Sequence, residues 1–432
     1  MSRSNNRKKV VVTGLGPITS VGIGADALWQ SLFEGKTDIV EHKHILSGEL
    51  IDTFPLHMIQ SFNLDDFKIP ENGLKSIRDW KKDAIDRELS LFLASIKVAL
   101  DDSKIKNSYR KDIGFVFTQE MPGVEDFFEK VIIKTINFSR TGKKMTHKNV
   151  SEYLYEACEA QGYDLQTFMY IYFALKCFGC HGYSLFINNA CASGSYAIEE
   201  AARIIRSGHQ KIIIVSGGDS PIKSFKYNWF KKRGLYSSDG LVRPFCRNSN
   251  GIVFGEGVSS LVLEDFDHAK KREAKIYAEY LGGGFSQEAW KVTLPNITEN
   301  FYLSAFQKGL KESKVDISEI DFVNAHGVGI KITDNYEART IKKVFSRLKN
   351  KPLVTAFKPY IGHNLGGSSL IESVISILCL KNNCILPTLN TEDYDENLGI
   401  NLAREKVEKD LRIFAKMSCG FAGFNSVIFF RK

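Results

Sequence analysis

No run of twenty apolar residues and no apolar leader occur in the 432-residue sequence, so neither a membrane span nor a secretory signal is expected, and a cytoplasmic location is. The first nine residues are polar and basic and read as a short frayed arm, because a strand pattern begins directly after them. Eight cysteines fall without regular spacing, which argues against a disulfide scaffold and for free thiols in a reducing compartment. Cys177-Phe178-Gly179-Cys180-His181 has the letters of a redox dithiol and of a c-type haem site. With no export signal and no distal metal ligand it reads as a packed turn, and neither a metal nor a bound cofactor is expected. Charge of one sign is also scarce: 58 Lys and Arg against 50 Asp and Glu give a dispersed net +8, which does not indicate nucleic acid but permits an acidic partner. Gly14-x-Gly16 has Thr19 where a dinucleotide fingerprint needs a third small residue, and no acid is evident after the second strand. Low-complexity segments and short repeats are missing as well.

What is present is an ordinary globular composition, 43% hydrophobic and 25% charged. The length suggests two domains or one duplicated fold of about 200 residues each. Apolar runs predict strands at 10–16, 113–118, 211–215, 259–264, 276–281, 320–325 and 426–431. Helical spacing predicts helices at 26–33, 84–100, 301–313 and 367–380. Alternating strands and helices indicate an α/β protein, with a first half over 1–255 and a second over 256–432. Residues 127–172 are polar and aromatic and are expected to form a partly helical surface excursion suited to partner contact or to covering a site.

Cys191 lies in Asn188-Asn189-Ala190-Cys191-Ala192-Ser193-Gly194-Ser195, between an apolar strand and a helix. A thiol at a helix N-terminus faces unpaired N–H groups and the positive dipole end, and its pKa can fall from about 8.5 to roughly 3.5–7.5. Two histidines follow in glycine-bounded turns, in Asn324-Ala325-His326-Gly327-Val328-Gly329 and Lys358-Pro359-Tyr360-Ile361-Gly362-His363. A thiol and two imidazoles suit several acyl-transfer reactions, and spacing alone does not choose among them.

The run Val10-Val11-Val12-Thr13-Gly14-Leu15-Gly16, Ala190-Cys191-Ala192-Ser193-Gly194, His326-Gly327-x-Gly329, Lys358-x-x-x-Gly362-His363 and Gly420-Phe421-Ala422-Gly423, in this order, resembles the β-ketoacyl-acyl-carrier-protein synthases. Arg243-Pro244-Phe245, Gly255-Glu256-Gly257 and Leu261-Val262-Leu263-Glu264 extend the likeness. The resemblance implies a thiolase-like fold of two similar α/β halves in an αβαβα stack. It implies that Cys191 accepts an acyl chain from the phosphopantetheine of a carrier protein, with an oxyanion hole from its own N–H and that of Phe421. His326 and His363 would hold a malonyl thioester and stabilise the enolate left by CO2. Lys358 would pair with Glu372 and organise the histidines, and Phe421 would gate the chamber. Asp334 and Glu337 are expected to be scaffold. The usual partner is a second subunit, identical or a chain-length-factor-like homologue.

Some positions depart from the family. Val328 and Ile330 replace two hydroxyl residues along the pantetheine arm, and Cys246, Ser249 and Asn250 replace a charged network. Gly423-Phe424-Asn425-Ser426 and Asp219-Ser220-Pro221-Ile222 look closer to discrete type II polyketide ketosynthases than to fatty-acid enzymes. The leading expectation is therefore a decarboxylating condensing enzyme of type II polyketide or aryl-polyene synthesis. The alternatives are fatty-acid elongation and a non-catalytic chain-length-factor-like subunit, against which Cys191 argues. A coenzyme A thiolase is disfavoured because Cys419-Gly420 only approaches the second catalytic Cys-x-Gly turn. Since carrier proteins are acidic, Lys75, Arg78, Lys81, Lys82, Lys232 and Arg233 are candidates for docking, the plain alternative being solvated helix faces.

Overall fold

A computed structural model describes residues 8–81, 84–220 and 222–432. Ten strands form the body of one eleven-stranded sheet, and their order repeats. In the first half these are β1 (Val10–Thr19), β2 (Ile113–Thr118), β3 (Ser184–Ile187), β4 (Ile212–Asp219) and β5 (Gly257–Asp265). In the second they are β6 (Ala278–Gln287), β7 (Phe322–Asn324), β8 (Leu353–Thr355), β9 (Ile413–Gly420) and β10 (Phe424–Arg431). The spatial order is β8-β7-β9-β10-β6 and then β1-β5-β4-β2-β3, with β6 and β1 joined antiparallel over Val10–Val12. Numbered within its own half, each half reads 3-2-4-5-1, with the same two parallel and two antiparallel pairings. The chain is thus a duplicated unit. This order puts the seam between Asp265 and Ala278, not after Gly255, because β5 pairs with β1 and β4 inside the first half.

Strand alternation explains the stack. Along β4, Ile213 and Val215 face a core shared with the second half, while Ile212 and Ile214 face an outer core under the Arg87–Ser103 helix. Along β10, Ile428 and Phe430 join the shared core, while Val427 and Phe429 pack under the Phe301–Ser313 and Lys331–Val344 helices. Both faces are buried, so the strands read as continuous apolar runs. Between the two half-sheets lie the Ser193–Ser207 and Ser368–Asn382 helices, the second buried from Ser368 to Leu380, which completes the five layers. Gly194 permits their contact, since a Cβ there would lie 2.5 Å from the Leu370 backbone nitrogen.

The expected excursion consists of helices at Val124–Ser139, His147–Asp164 and Thr167–Phe178. The third is not surface: Met169, Phe173 and Cys177 are buried in the first half's outer core, where the Glu71–Lys81 helix meets it. Cys177 and Cys180 are free, buried thiols at its end, in keeping with a packed turn. A hairpin at Ile39–Leu46 and Glu49–His57 had no counterpart in the sequence reading. Among the described residues no helix is long and apolar enough to cross a membrane, and no cluster of ligating side chains could hold a metal.

Candidate active site

In each half the third strand leads through a loop into the central helix, and these loops bring Cys191 and His363 to one place. Cys191 follows β3 and stands two residues before the first helical residue Ser193, with Ala192 as the N-cap. Ala190, at φ 50°, turns the chain just before the thiol, in a region where a side chain is strained. His363 follows β8 through a short helix, Lys358–Ile361, whose glycine stop at Gly362 has φ 71°. A Cβ at Gly362 would lie 2.5 Å from the Phe254 carbonyl oxygen, so this approach requires glycine. His326 follows β7, and its ring meets that of His363 edge to face at 5.7 Å between centroids. Cys191, His326, His363 and Phe421 line one narrow cavity.

Both rings are held as neutral donors. The Leu365 N–H donates to His363 Nδ1 at 3.0 Å, with Ser368 Oγ at 2.8 Å from the same nitrogen, so the proton resides on Nε2. His326 Nδ1 lies 3.3 Å from the Lys358 ammonium, which can only donate, and this assigns its proton to Nε2 as well. Burial first, then the Lys358 charge, pushes both imidazoles well below their ordinary pKa, with Lys416 adding to each. The Lys358 ammonium is fixed by the His326 carbonyl and by Glu372 Oε1, each at 2.6 Å. The expected Lys358–Glu372 pair is therefore present and fully buried. Glu372 Oε2 in turn pairs with Lys416 at 2.6 Å, a second buried ammonium that the sequence reading did not find. Its signal is a lysine inside the apolar run Ile413-Phe414-Ala415-Lys416-Met417, since lysine is almost never fully buried without a partner.

Asp334 and Glu337 are scaffold in geometry too. Glu337 accepts the N–H groups of His326 and Gly327, and Asp334 those of Phe245, Val328 and Gly329, so the His326 loop is pinned by two buried carboxyls. Where the family's charged network is thinned, Ser249 Oγ donates to the Arg243 carbonyl at 2.6 Å and Asn250 Nδ2 donates to Asp239 at 3.2 Å.

The thiol differs from expectation. Burial, followed by the Glu120 carboxylate, raises the Cys191 pKa well above the ordinary thiol value; Lys358 opposes this and Asp219 adds to it. The helix-terminus argument is local, whereas the burial and the Glu120 and Asp219 charges that act on the thiol come from the tertiary fold, from the segment after β2 and the end of β4. Resting Cys191 is a thiol. Cys419 lines the same cavity, so Cys419-Gly420 lies beside Cys191, with a Cβ at Gly420 falling 3.1 Å from the Cys191 nitrogen. Phe421 stacks on Phe230 at 5.5 Å and also touches Trp229. Val328 and Ile330 line the cavity and give that wall an apolar face.

The docking candidates divide. Lys75, Arg78, Lys232 and Arg233 are exposed, Arg78 pairing with Glu71 and Arg233 lying 3.6 Å above the Trp229 ring. Lys81 is not a surface charge: it is buried, paired with Asp86 at 2.7 Å, and its ammonium lies 5.9 Å from the Phe173 ring centroid. Lys226, a few residues before Lys232, is likewise buried, among the charges of Asp219, Glu88 and Glu125. Lys82 lies outside the described residues.

A duplicated α/β fold that joins a thiol at the start of a central helix to two neutral imidazole donors defines a class, the thiolase-like acyl-transfer enzymes. The model of the β-ketoacyl synthase N-terminal domain matches residues 7–269 and that of its C-terminal domain matches 277–392, meeting near the seam set by strand order. The chain belongs to the β-ketoacyl synthase family, acyltransferases of the condensing type. A Schizosaccharomyces pombe protein provisionally named a mitochondrial 3-oxoacyl-acyl-carrier-protein synthase is 29% identical over 98% of this chain and 99% of its own. The 3-oxoacyl-acyl-carrier-protein synthase 2 of Vibrio harveyi is 27% identical over 99% of both chains. Among solved structures, the ishigamide ketosynthase/chain length factor matches with a TM-score of 0.85 at 24% identity over 99% of both chains. A type II polyketide synthase acyl-carrier protein in complex with its ketosynthase gives 0.82 at 21% identity, over 99% of this chain and 100% of that one. At these identities the structural likenesses establish the fold.

Proposed function

We propose that the protein joins an acyl chain held on Cys191 to a malonyl unit by decarboxylative Claisen condensation, both groups arriving on the phosphopantetheine of an acyl carrier protein. The observation that carries this reading is the cavity that Cys191 shares with two imidazoles that each offer Nε2–H. In the first half-reaction the Cys191 sulfur attacks the acyl thioester carbonyl; the carbon–sulfur bond to pantetheine breaks and its thiol leaves with the cysteine proton. In the second, the malonyl carboxylate leaves as CO2 and its electron pair enters an enolate whose oxygen accepts from His326 and His363. The enolate carbon attacks the Cys191 thioester, and the cysteine sulfur is released. Neutral donors suit this step, because they strengthen as charge develops on the enolate oxygen without holding the ground-state carboxylate as a cation would. Lys358, Glu372 and Lys416 act as positioning residues. The N–H groups of Cys191 and Phe421 form the oxyanion hole, and Phe421 gates the cavity. On this reading the enzyme itself needs no bound cofactor.

We assign the pathway to type II polyketide or aryl-polyene synthesis, supported by Gly423-Phe424-Asn425-Ser426 and by Asp219 beside the thiol. Fatty-acid elongation is the second reading, favoured by the names of the curated relatives. The half-buried edge strand β3, which ends the sheet order, supports pairing with a second subunit, a like chain or a homologue. Exposed Lys232 and Arg233, on the segment that follows the Phe230 contact to Phe421, support docking of an acidic carrier there. Intact mass of the protein after incubation with acyl-loaded carrier tests the reading: the native chain gains one acyl group and Cys191→Ala gains none. A native chain that no carrier acylates would favour a non-catalytic partner subunit.

A further inference from the structure

Strands β2, β3 and β4 run parallel, with Thr118 in register with both Ile187 and Gly217. The segments that continue from them therefore leave the sheet together at its carboxyl edge, where open α/β sheets place ligands. The segment after β3 delivers Cys191, the one after β2 delivers Gln119 and Glu120, and β4 ends on Asp219. Asn188 Nδ2 donates to the Glu120 carbonyl at 2.9 Å, tying the first two segments together. The Glu120 N–H reaches Asp219 Oδ2 at 3.4 Å, and the Gly366 N–H meets the same oxygen at 2.9 Å.

Side-chain pairing here is incomplete. Glu120 Oε2 is buried with no hydrogen-bond partner, and Gln119, fully buried, has neither its Oε1 nor its Nε2 paired. Lys226 lies 3.6 Å from Asp219 Oδ1 and is shared with Glu88 and Glu125. Burial and the Asp219 charge push Glu120 up to about 7, and Glu120 is in turn the leading charge that raises Cys191. Two of the three unpaired polar atoms thus belong to Gln119 and one to Glu120, on the segment that Asn188 ties to the Cys191 loop.

We propose that Glu120, with Gln119 beside it, is a specificity-determining residue that selects acyl chains bearing a hydroxyl over plain saturated chains on Cys191. The inference rests on the acyl-transfer reading above. A chain hydroxyl donates to the Glu120 carboxyl and accepts from Gln119 Nε2, whereas a saturated chain leaves both groups desolvated and unpaired. Sites built to hydrogen-bond a substrate hydroxyl discriminate strongly against the analogue that lacks it.

The test measures Cys191 acylation by intact mass with N-acetylcysteamine thioesters of octanoate and of its 3-, 5- and 7-hydroxy derivatives. The native protein should load at least one hydroxylated chain tenfold or more faster than octanoate. Glu120→Leu should lose that preference, read as the ratio of hydroxylated-chain to octanoate loading within the variant, and the isosteric Glu120→Gln should keep it. Gln119→Leu should reduce it threefold or more, an independent reading should Glu120→Leu misfold. Octanoate loading fastest in the native protein, or a preference unchanged in the Leu variants, would overturn the proposal. No acylation by any of the four compounds would instead overturn the acyl-transfer reading beneath it.

Discussion

The two halves have the same strand order and place their functional groups at equivalent points, yet surround the reacting atoms with opposite chemistry. After its second strand the first half carries Glu120 and the second half carries His326. After its third strand the first half carries Cys191 and the second His363. The fourth strands carry Asp219 in the first half and, two register positions earlier, Lys416 in the second. Burial is the leading cause of all three shifts; acid from the first half adds to the rise of the thiol pKa, and lysines from the second add to the fall of the imidazole pKa values. One scaffold thus surrounds a thiol on one side and two neutral imidazoles on the other with opposite charge, and most of the difference resides in loops and strand ends.

The comparison breaks most severely at Glu372, which holds both second-half lysines. Glu372→Ala should leave Lys358 and Lys416 buried without a counter-charge and cost about 3–5 kcal/mol, read as a large fall in melting temperature by calorimetry. Retention of native stability would mean that the lysines are not charged in the folded protein. pH sharpens the contrast. Because the Cys191 pKa is raised, its thiolate fraction grows with pH, and stopped-flow acylation should rise about tenfold per pH unit from 6 toward 9. A plateau from about pH 7 would indicate a depressed thiol. Because both imidazole pKa values are lowered, the rings stay neutral across pH 6–8, and malonyl decarboxylation should show no histidine titration there. The smallest effect lies at the surface. Lys232→Glu with Arg233→Glu should weaken carrier-dependent loading a few-fold at low salt and little at high salt, each exposed charge being worth about 0.2–1 kcal/mol. Lys81→Glu should lower stability instead, since its ammonium is buried against Asp86.

Legibility in the sequence followed locality. Cys191, His326 and His363 sit in short contiguous motifs, and the strand-to-loop transitions that present them are local patterns; the 113–118 strand and the 301–313 helix were bounded as observed. Lys416 and Glu120 were missed because only long-range strand register brings them to the site. The seam was misplaced because β5 completes the first half although it follows the glycine-rich stretch at 251–257. The thiol pKa was given the wrong sign for the same reason, since its causes lie far away in sequence. Lys81 shows the converse: it was expected on a docking or solvated helix face, but tertiary packing buried it.

The central claim is that the first half holds the acyl chain and the second breaks the malonyl carbon–carbon bond, and paired partial-reaction assays on Cys191→Ala and His326→Ala test it most directly. Cys191→Ala should lose acylation yet still release CO2 from malonyl-carrier protein. His326→Ala should become acylated at near-native rate and release CO2 roughly 100–1,000-fold more slowly, the scale set by removal of one preorganised donor. Unchanged CO2 release by His326→Ala, or loss of both partial reactions in each variant without loss of fold, would contradict the account.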